Sequence, residues 1–228
     1  MPNARRLLLY VPRKRHNSTM AERLIPLFPL RLVVFPRTDL QLHIFEERYK
    51  EMVGEAIRDN SEFGIVLAKE EGIVNAGCTV RIAKVLNTYP DGRMDVLTRG
   101  CRRFEIQMLN EEKNYLRADV SFFDDEDFEP PPAGLRDKAL LNYEALSQLG
   151  TPLDRAEPDL KDPQLSFQLA QALPDLDFLN TLLRERSEAG RLKQLNQYLA
   201  DYLPRQRTIQ RMRELAPTNG FGGKPAGL

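Results

Sequence analysis

The residues best placed to do chemistry are a cysteine and the arginines around it, in the segment TRGCRRFEI. Cys101 lies close after Arg99 and directly before Arg102 and Arg103. Cations beside a thiol lower its pKa, which would make Cys101 a reactive thiolate. The same arginines could instead bind phosphate next to Phe104. The alternative, which we favour, is a strand whose outward positions are basic and whose cysteine packs as a small apolar residue.

Other catalytic and metal-binding patterns are missing from the sequence. The thiols are Cys78 and Cys101 and the imidazoles are His16 and His43, without CxxC or HxxxH spacing, so we expect no metal site. No GxxxxGK[ST], GxGxxG or GxSxG motif occurs. Adjacent carboxylates are frequent, but general acid–base catalysis needs a pKa shifted by burial or by a partner. We therefore predict no catalytic residue, no cofactor and no enzymatic activity.

Charge and composition narrow the class of protein. The 228 residues include 33 basic and 33 acidic side chains, a balance that argues against a generic nucleic-acid binder. Two cysteines do not make a disulfide framework, so we expect a reducing, cytoplasmic compartment. No apolar run reaches the roughly 20 residues that cross a bilayer. Residues 1–22 are basic, and we expect a disordered leader, with Met1 or Met20 as the true start.

The elements that must position these residues begin with a proline-broken apolar run at 24–42. Its prolines, Pro26, Pro29 and Pro36, each remove an N–H donor, which is typical of strands at edges or bulges. An apolar stripe then predicts a helix over 46–60. FGIVLA at 63–68 predicts a short buried strand.

A long β-hairpin follows, because the turn sequence Pro90-Asp91-Gly92 joins two β-branched runs at 78–89 and 93–107. Its alternation slips near residues 83–85 and at Gly100, which suggests bulges. One more strand is predicted over 115–123. Five or six strands and one helix within about 100 residues indicate a small, mostly antiparallel barrel.

After the barrel, DDEDFEPPPAG at 124–134 is a candidate domain boundary, which we interpret as a solvated, stiff linker rather than an acidic docking tract. Residues 135–215 carry helical patterns only, and predict a bundle in which Asp175 caps one helix and Pro204 kinks or restarts the last. Residues 216–228 are rich in Gly and Pro, and we expect a flexible tail.

The opening stretch resembles the N-terminal, substrate-binding domain of Lon proteases. The shared parts follow in order: PLFPL at 26–30, VVFP at 33–36 and LHIFEERY at 42–49. FGIVLA, VRI at 80–82 and PDGRMDVLTRGCRRFEI at 90–106 fit as well. Where the family commonly has Gly after Phe-Pro, this chain has Arg37.

This resemblance implies an α+β fold, with a PUA-like β-pseudobarrel containing one helix over 23–123 and then a C-terminal α-helical bundle. It implies a stand-alone, non-catalytic protein that binds unfolded or flexible polypeptide, with a full-length AAA+ protease as a possible partner. The resemblance does not indicate an oligomeric state. The candidate polypeptide-binding residues are Leu32, Phe35, Arg37, Arg99 and Arg103.

Two other hypotheses remain open. PUA-like folds elsewhere bind RNA, and the basic leader with Arg99, Arg102 and Arg103 would then contact phosphates. The neutral net charge and the acidic tract argue against nucleic acid. A hydrolase is the weakest of the three, because no nucleophile with a base beside it is evident in the sequence.

Overall fold

The computed structural model describes residues 24–127, 129–149 and 157–215, and it confirms the α+β class: a β-rich half is followed by helices. The predicted leader and tail lie outside the described residues. The strands are β1 Ile25–Leu30, β2 Asp39–Ile44, β3 Phe63–Lys69, β4 Gly72–Thr88, β5 Met94–Asn110 and β6 Arg117–Phe123. The helices are α1 Glu47–Asp59, α2 Ala133–Ser147, α3 Leu165–Ala170, α4 Leu176–Arg184 and α5 Glu188–Leu215.

Five strands close into a ring, and β2 lies outside it. The sheet order is β2-β5-β4-β3-β1-β6, and a further pairing between β5 and β6 closes the ring. β5 is long enough to pair both with β2 outside the ring and with β6 inside it, because residues 94–99 pair with β2 and residues 103–110 pair with β6. β1 and β3 pair in parallel, whereas the other strand pairs are antiparallel. The predicted mostly antiparallel barrel is therefore confirmed.

The ring encloses a small apolar core around Phe104, which is fully buried with Leu27, Val66 and Ala118. Two glycines leave space for the aromatic ring of Phe104. A Cβ on Gly64 would lie 2.6 Å from Phe104 Cζ, and a Cβ on Gly77 would lie 2.5 Å from the Ile65 carbonyl oxygen.

The far half of the β4–β5 hairpin extends beyond the ring. We call residues 82–88 and 94–98 the hairpin arm. The register shifts between Ile82 and Lys84 and between Val85 and Asn87, so that Ala83 and Leu86 are the extra residues of two bulges. A third shift lies between Cys78 and Val80, opposite Gly100. The bulges predicted near 83–85 and at Gly100 are thus confirmed.

The larger core connects the β-rich half with the helices. It includes Phe35 and Met52 from the first half, together with Phe167, Leu182 and Leu195 from the helices. α1 buries one stripe of its surface, and Asn60 ends it in the left-handed conformation. The division of the chain at residues 124–134 stays a prediction, since the apolar core is shared across it.

The helical half contains the predicted cap at Asp175 and excludes one of the two alternatives at Pro204. Asp175 caps α4 as predicted, because its side chain accepts a hydrogen bond from the Phe178 N–H at 2.9 Å. Pro204, however, lies inside the 28-residue helix α5 and does not restart it. A proline inside a helix costs about 3 kcal/mol. We attribute the continuity to the packing of Leu199 and Leu203, which lie on one face of the preceding turn and are both buried.

Candidate functional site

A groove runs along the boundary between the β-rich half and the helices, and one end of it is apolar. This end has a volume of about 300 Å³ and lies between the loop that follows β1, strand β2 and the segment around α4. Its apolar lining residues are Leu32, Val33, Val34, Leu40, Leu173, Leu176 and Leu179. Leu32 and Leu40 are half-buried, which leaves part of each side chain to a ligand.

The other end of the groove is polar and larger, about 570 Å³. The two ends share Thr38, Asp39 and Gln171 in their walls, so they adjoin, and we call them together the junctional groove. Both volumes fall within or near the range of about 300–1,000 Å³ that ligand sites usually have. The charged side chains that line the polar end are Arg37, Asp39, Arg99, Glu157, Asp159, Lys161 and Asp162.

An open strand edge borders this groove. β2 is the last strand of the sheet order and pairs with β5 alone among the described strands. Asp39, Leu40 and Gln41 of β2 line the apolar end. An open edge presents backbone N–H and C=O groups that an extended peptide can pair with, as in β-augmentation.

A second open edge lies on the hairpin arm, where β4 pairs with β5 but β3 has already ended. Val85 and Leu86 are exposed there, at 38% and 43%. The two bulges interrupt this edge, and Lys84 is exposed beside them. Bulges and lysines are the means by which proteins protect edges from pairing. The edge in the groove is therefore the better candidate.

The groove brings together three of the predicted site residues, and burial removes the other two. Leu32 lines the apolar end, while Arg37 and Arg99 line the polar end. Phe35 is fully buried and stacks on Phe167 with ring centroids 4.8 Å apart. Arg103 is 1% exposed. Neither Phe35 nor Arg103 has surface to offer a polypeptide, so their assignment as contact residues was wrong.

Arg103 belongs instead to a buried cluster of charges. Its Nη2 donates to Asp125 Oδ1 at 2.6 Å, and its Nη1 donates to the carbonyl oxygens of Leu183 and Glu185. From α5, the guanidinium of Arg191 binds both carboxylate oxygens of Asp125, at 2.6 and 2.7 Å. Asp125 thus holds one arginine from the sheet and one from the helices.

A second carboxylate completes what we call the junction cluster: Arg103, Asp125, Ser166, Glu188 and Arg191. Glu188 Oε2 accepts hydrogen bonds from Arg191 Nη2 at 2.8 Å and from the Ser166 hydroxyl at 2.5 Å. The cluster contains two arginines and two carboxylates, a balance that a buried site requires.

The pKa values of the two acids move in opposite directions. Hydrogen bonds and charges from Arg191, with Gln164 and Arg103, outweigh burial and hold the pKa of Asp125 at about 2. Burial dominates at Glu188 and raises its pKa. Asp125 is therefore firmly ionised at neutral pH. The interpretation of residues 124–134 as a solvated linker was wrong at this position, because the Asp125 side chain is only 15% exposed.

Arg37 connects the groove with the segment that directly precedes α3. Its Nη1 lies 3.2 Å from Asp162 Oδ1, and its Nη2 donates to Gln164 Oε1 at 2.6 Å. Its backbone is left-handed, with φ at 62°. This conformation favours glycine and explains why glycine is common at this position in the family that the sequence resembles. The backbone is held by the Arg37 N–H, which donates to the Gly100 carbonyl at 2.8 Å.

For TRGCRRFEI, the structure argues against the reactive-thiol hypothesis, whereas the phosphate hypothesis stays a prediction that now lacks Arg103. Burial raises the pKa of Cys101, which is opposite to what a thiolate needs. Arg102 donates to Glu62 at 3.2 Å and lies over the ring of Phe122. Arg99 lies 3.3 Å from Asp39. Arg103 is buried and cannot contribute to a phosphate-binding patch, whereas Arg99 and Arg102 are each paired with a carboxylate and remain more than half exposed.

Nothing else in the described part of the chain suggests metal or acid–base chemistry. Within that part, no three His, Cys, Asp or Glu side chains are grouped as metal ligands. His43, on β2, bonds through Nδ1 to Asp95 at 2.6 Å, and Asp95 also accepts from the Tyr89 hydroxyl. No helix within the same residues is long and apolar enough to cross a membrane.

Sequence reasoning missed Asp125, Gln164 and Arg191. Each stands in a polar stretch where charged and amide side chains are ordinarily solvated. The residues that gather around Asp125 are 22 to 66 positions away in the chain.

The comparison with protein families finds one domain over most of the chain. Residues 24–210 match the model for the ATP-dependent protease La (LON) substrate-binding domain. Among curated proteins, a Lon protease of Parabacteroides distasonis is 32% identical over 110 residues, which are 44% of this chain and 13% of that protein. A Lon protease of Bacillus thuringiensis is 27% identical over 145 residues, 60% of this chain and 18% of that protein. The chain thus matches less than a fifth of the length of these relatives.

Solved structures of the same kind share the fold. The crystal structure of a Lon N-terminal domain protein from Xanthomonas campestris superposes with a TM-score of 0.61 at 28% identity. It covers 75% of this chain and 96% of its own. The N-terminal domain of Mycobacterium avium complex Lon protease has a TM-score of 0.57 at 14% identity, covering 78% and 98%. The latter shows similarity of fold alone.

Proposed function

The chain belongs to the Lon substrate-binding domain family, and from this premise we propose that it binds unfolded or flexible polypeptide without altering it chemically. The observation that carries the proposal is the open edge of β2 beside the apolar end of the junctional groove. An extended segment can pair with this edge through its main chain and place alternate side chains in the groove.

The geometry divides affinity from selectivity. Main-chain hydrogen bonds to β2 do not depend on sequence, which suits a protein that receives many unfolded chains. The leucines at the apolar end favour segments with aliphatic or aromatic side chains. The polar end is lined by charges of both signs, so it favours segments in which polar residues follow the apolar ones.

Binding of a carboxymethylated, permanently unfolded protein tests the proposal directly. We expect saturable binding that Leu32→Glu weakens by about tenfold or more, because a charge replaces apolar contact area. Leu86→Glu is the matched control, since it places the same charge beside the other open edge. An affinity no higher than that of an unrelated β-barrel would overturn the proposal, and equal loss in both variants would refute the groove as the site.

Peptide chemistry separates strand pairing from simple apolar contact. We would use a ten-residue fluorescent peptide with leucine at alternate positions. N-methylation of every second amide removes donors on one edge of the peptide only. We expect methylation of one set of amides to abolish binding and methylation of the other set to be tolerated. Equal tolerance of both sets would contradict pairing with β2.

We propose further that the polypeptide is shared with an ATP-dependent protease of the Lon kind, as the relatives with that name suggest. The free thiols of Cys78 and Cys101 support a reducing compartment, the cytoplasm, for both proteins. Added to a Lon protease that degrades an unfolded substrate, the chain should change the degradation rate, and Leu32→Glu should not. The isolated chain should hydrolyse neither ATP nor peptide; turnover of either by a pure sample would refute a purely binding role.

A further inference from the structure

A line of hydrogen bonds leads from the groove to the junction cluster through a single side chain. Arg37 Nη2, in the groove, donates to Gln164 Oε1 at 2.6 Å. Gln164 Nε2 donates to Asp125 Oδ2 at 2.9 Å. The same Asp125 oxygen accepts from Arg191 Nη2 at 2.7 Å. Three hydrogen bonds in series therefore join the surface of the groove to the buried arginine of α5.

The chemistry of an amide fits this place. Arg37 can only donate and ionised Asp125 can only accept, so the linking side chain must accept at one end and donate at the other. Glutamine does both, and its two partners fix which amide atom faces which way. A glutamate would accept from Arg37 but repel Asp125, and an apolar side chain would break both bonds.

Gln164 is not part of the surface that a ligand would touch. The residues lining the polar end include its neighbours Asp162 and Pro163, and Gln168 on α3, but not Gln164 itself. Arg37, by contrast, keeps 42% of its side chain exposed and lines the groove. The Gln164 side chain can therefore influence a ligand through Arg37, with which it shares a hydrogen bond.

We propose that Gln164 is a positioning residue that couples the binding of a ligand in the junctional groove to the junction cluster. That this ligand is a polypeptide rests on the proposed function. A carboxylate or main-chain carbonyl of a bound polypeptide competes with Gln164 Oε1 for the Arg37 guanidinium. Release of Gln164 removes one donor from Asp125 or reorients it. Because coupling is reciprocal, the state of the cluster sets the affinity of the groove to the same extent.

Two features make Arg37 suited to switch partners. The left-handed backbone is unfavourable for a residue other than glycine, so the bonds that Arg37 makes partly offset a backbone strain. The backbone bonds around it keep Arg37 in place when its side chain moves, since the Arg37 N–H donates to the Gly100 carbonyl and the Gly100 N–H donates to the Thr38 carbonyl. The side chain can thus exchange acceptors while the loop stays fixed.

NMR of the arginine side chains tests the coupling without any ligand. We expect Arg37→Met to shift the guanidinium signals of Arg191, although the structure records no contact between Arg37 and Arg191. Arg99→Met, a matched loss of charge in the same groove, should leave these signals in place. In a Gln164→Leu background, Arg37→Met should no longer shift them.

Comparison of the Arg37 and Gln164 single variants with the double variant forms a double-mutant cycle, and its outcome decides the proposal. The proposal is overturned if Arg37→Met leaves the guanidinium signals of Arg191 unchanged. It is also overturned if Arg37→Met shifts them equally in the Gln164→Leu background. Gln164→Glu serves as the second variant if Gln164→Leu does not fold, because it keeps the bond with Arg37 while placing a second negative charge beside Asp125. Under the proposal it shifts Arg191 by itself.

The same variants then report on binding. With the carboxymethylated protein as ligand, we expect Gln164→Leu to change the dissociation constant by about 5-fold or more, within the range of typical allosteric coupling. Unchanged affinity, together with an intact NMR coupling, would refute the link to occupancy. If the wild-type chain binds no polypeptide, the proposed function fails, and the NMR cycle alone still decides whether Gln164 connects Arg37 to the cluster.

Discussion

The interior of the β-ring and the junction with the helices are both buried, but the first consists of apolar side chains and the second contains paired charges. They meet at two successive residues of β5: Phe104 fills the ring with carbon, whereas Arg103 carries a charge into the junction. Because neighbouring side chains of a strand point to opposite faces, one strand serves both environments. The ring has no room for an additional atom, while the junction has a partner for each charge.

This contrast teaches where each region is vulnerable. Close packing around Phe104 makes the ring sensitive to added volume. The junction cluster is sensitive to the loss of one partner, because the remaining charge stays buried without compensation. A well-packed apolar junction would be about as stable, so the charges have another use, which we assign to the coupling through Gln164.

The largest effect should follow removal of the shared carboxylate. Asp125→Asn keeps the shape of the side chain but leaves the buried guanidinium groups of Arg103 and Arg191 without the anion between them. We expect a loss of about 3–5 kcal/mol in the free energy of unfolding, measured by urea denaturation. Asp124→Asn, one residue away on an exposed side chain, should cost little. Equal losses would show that the contrast between the regions is wrong.

Added volume in the ring should come next. Gly77→Ala and Gly64→Ala should each lower the free energy of unfolding by about 1–3 kcal/mol, since the new Cβ meets Phe104 in both cases. Phe104→Leu should partly rescue Gly64→Ala, whose close contacts are side chains. It should not rescue Gly77→Ala, whose Cβ also meets the Ile65 carbonyl. Equal rescue of both variants would contradict the packing described for the ring.

Acid should distinguish the two regions, because the ring core has no titratable group and the cluster has two carboxylates. The pKa of Asp125 is about 2 against an ordinary 3.8, so its stabilisation is complete above pH 3.8 and is lost as pH falls through about 2. The pKa shift corresponds to roughly 2 kcal/mol. The raised pKa of Glu188 acts in the opposite sense, since the folded state then binds the proton more readily.

Carboxyl-carbon NMR titration of the two side chains checks this prediction. Asp125 should titrate well below, and Glu188 above, the values of the same residues in unfolded peptides. An Asp125 carboxyl that titrates near its ordinary value would mean that the two arginines do not enclose it in solution.

The smallest effect concerns the edge of the junction at Arg37. Arg37→Ala loses the bonds to Asp162 and Gln164 but keeps the unfavourable left-handed backbone. Arg37→Gly loses the same bonds and relieves the backbone, so we expect it to be more stable than Arg37→Ala by about 1 kcal/mol. Thermal unfolding of the pair measures the difference. A glycine variant no more stable than the alanine variant would show that the backbone at this position is not strained.

The sequence predicted well wherever a local signal determines structure. The turn at Pro90-Asp91-Gly92, the slip near residues 83–85 and the cap at Asp175 depend on neighbours in the chain, and the structure contains all three features. At Pro204 the sequence left a kink or a restart open, and the structure excludes the restart because α5 continues through this residue. For the candidate site, the predicted residues Leu32, Arg37 and Arg99 line the groove, and their role in binding stays a prediction.

Burial of charge could not be predicted in the same way. An arginine on an alternating strand is solvated on most proteins, and Arg103 resembles Arg99 and Arg102 in every local respect. Its difference arises because the face of β5 on which it lies is covered by α4 and α5, which bring in the Leu183 carbonyl and Arg191. That information lies in the packing of the helices on the sheet.

By itself, the sequence determined the class of fold, the order of strands and helices and the family, because these depend on periodicity, turn residues and ordered motifs along the chain. Only the tertiary structure decided which arginines are buried, that an acidic run supplies the centre of the junction, and that β2 leaves its edge open beside a groove. The physical reason is that burial and pairing are properties of surfaces that meet, and residues such as Arg103 and Arg191 meet only after the chain has folded.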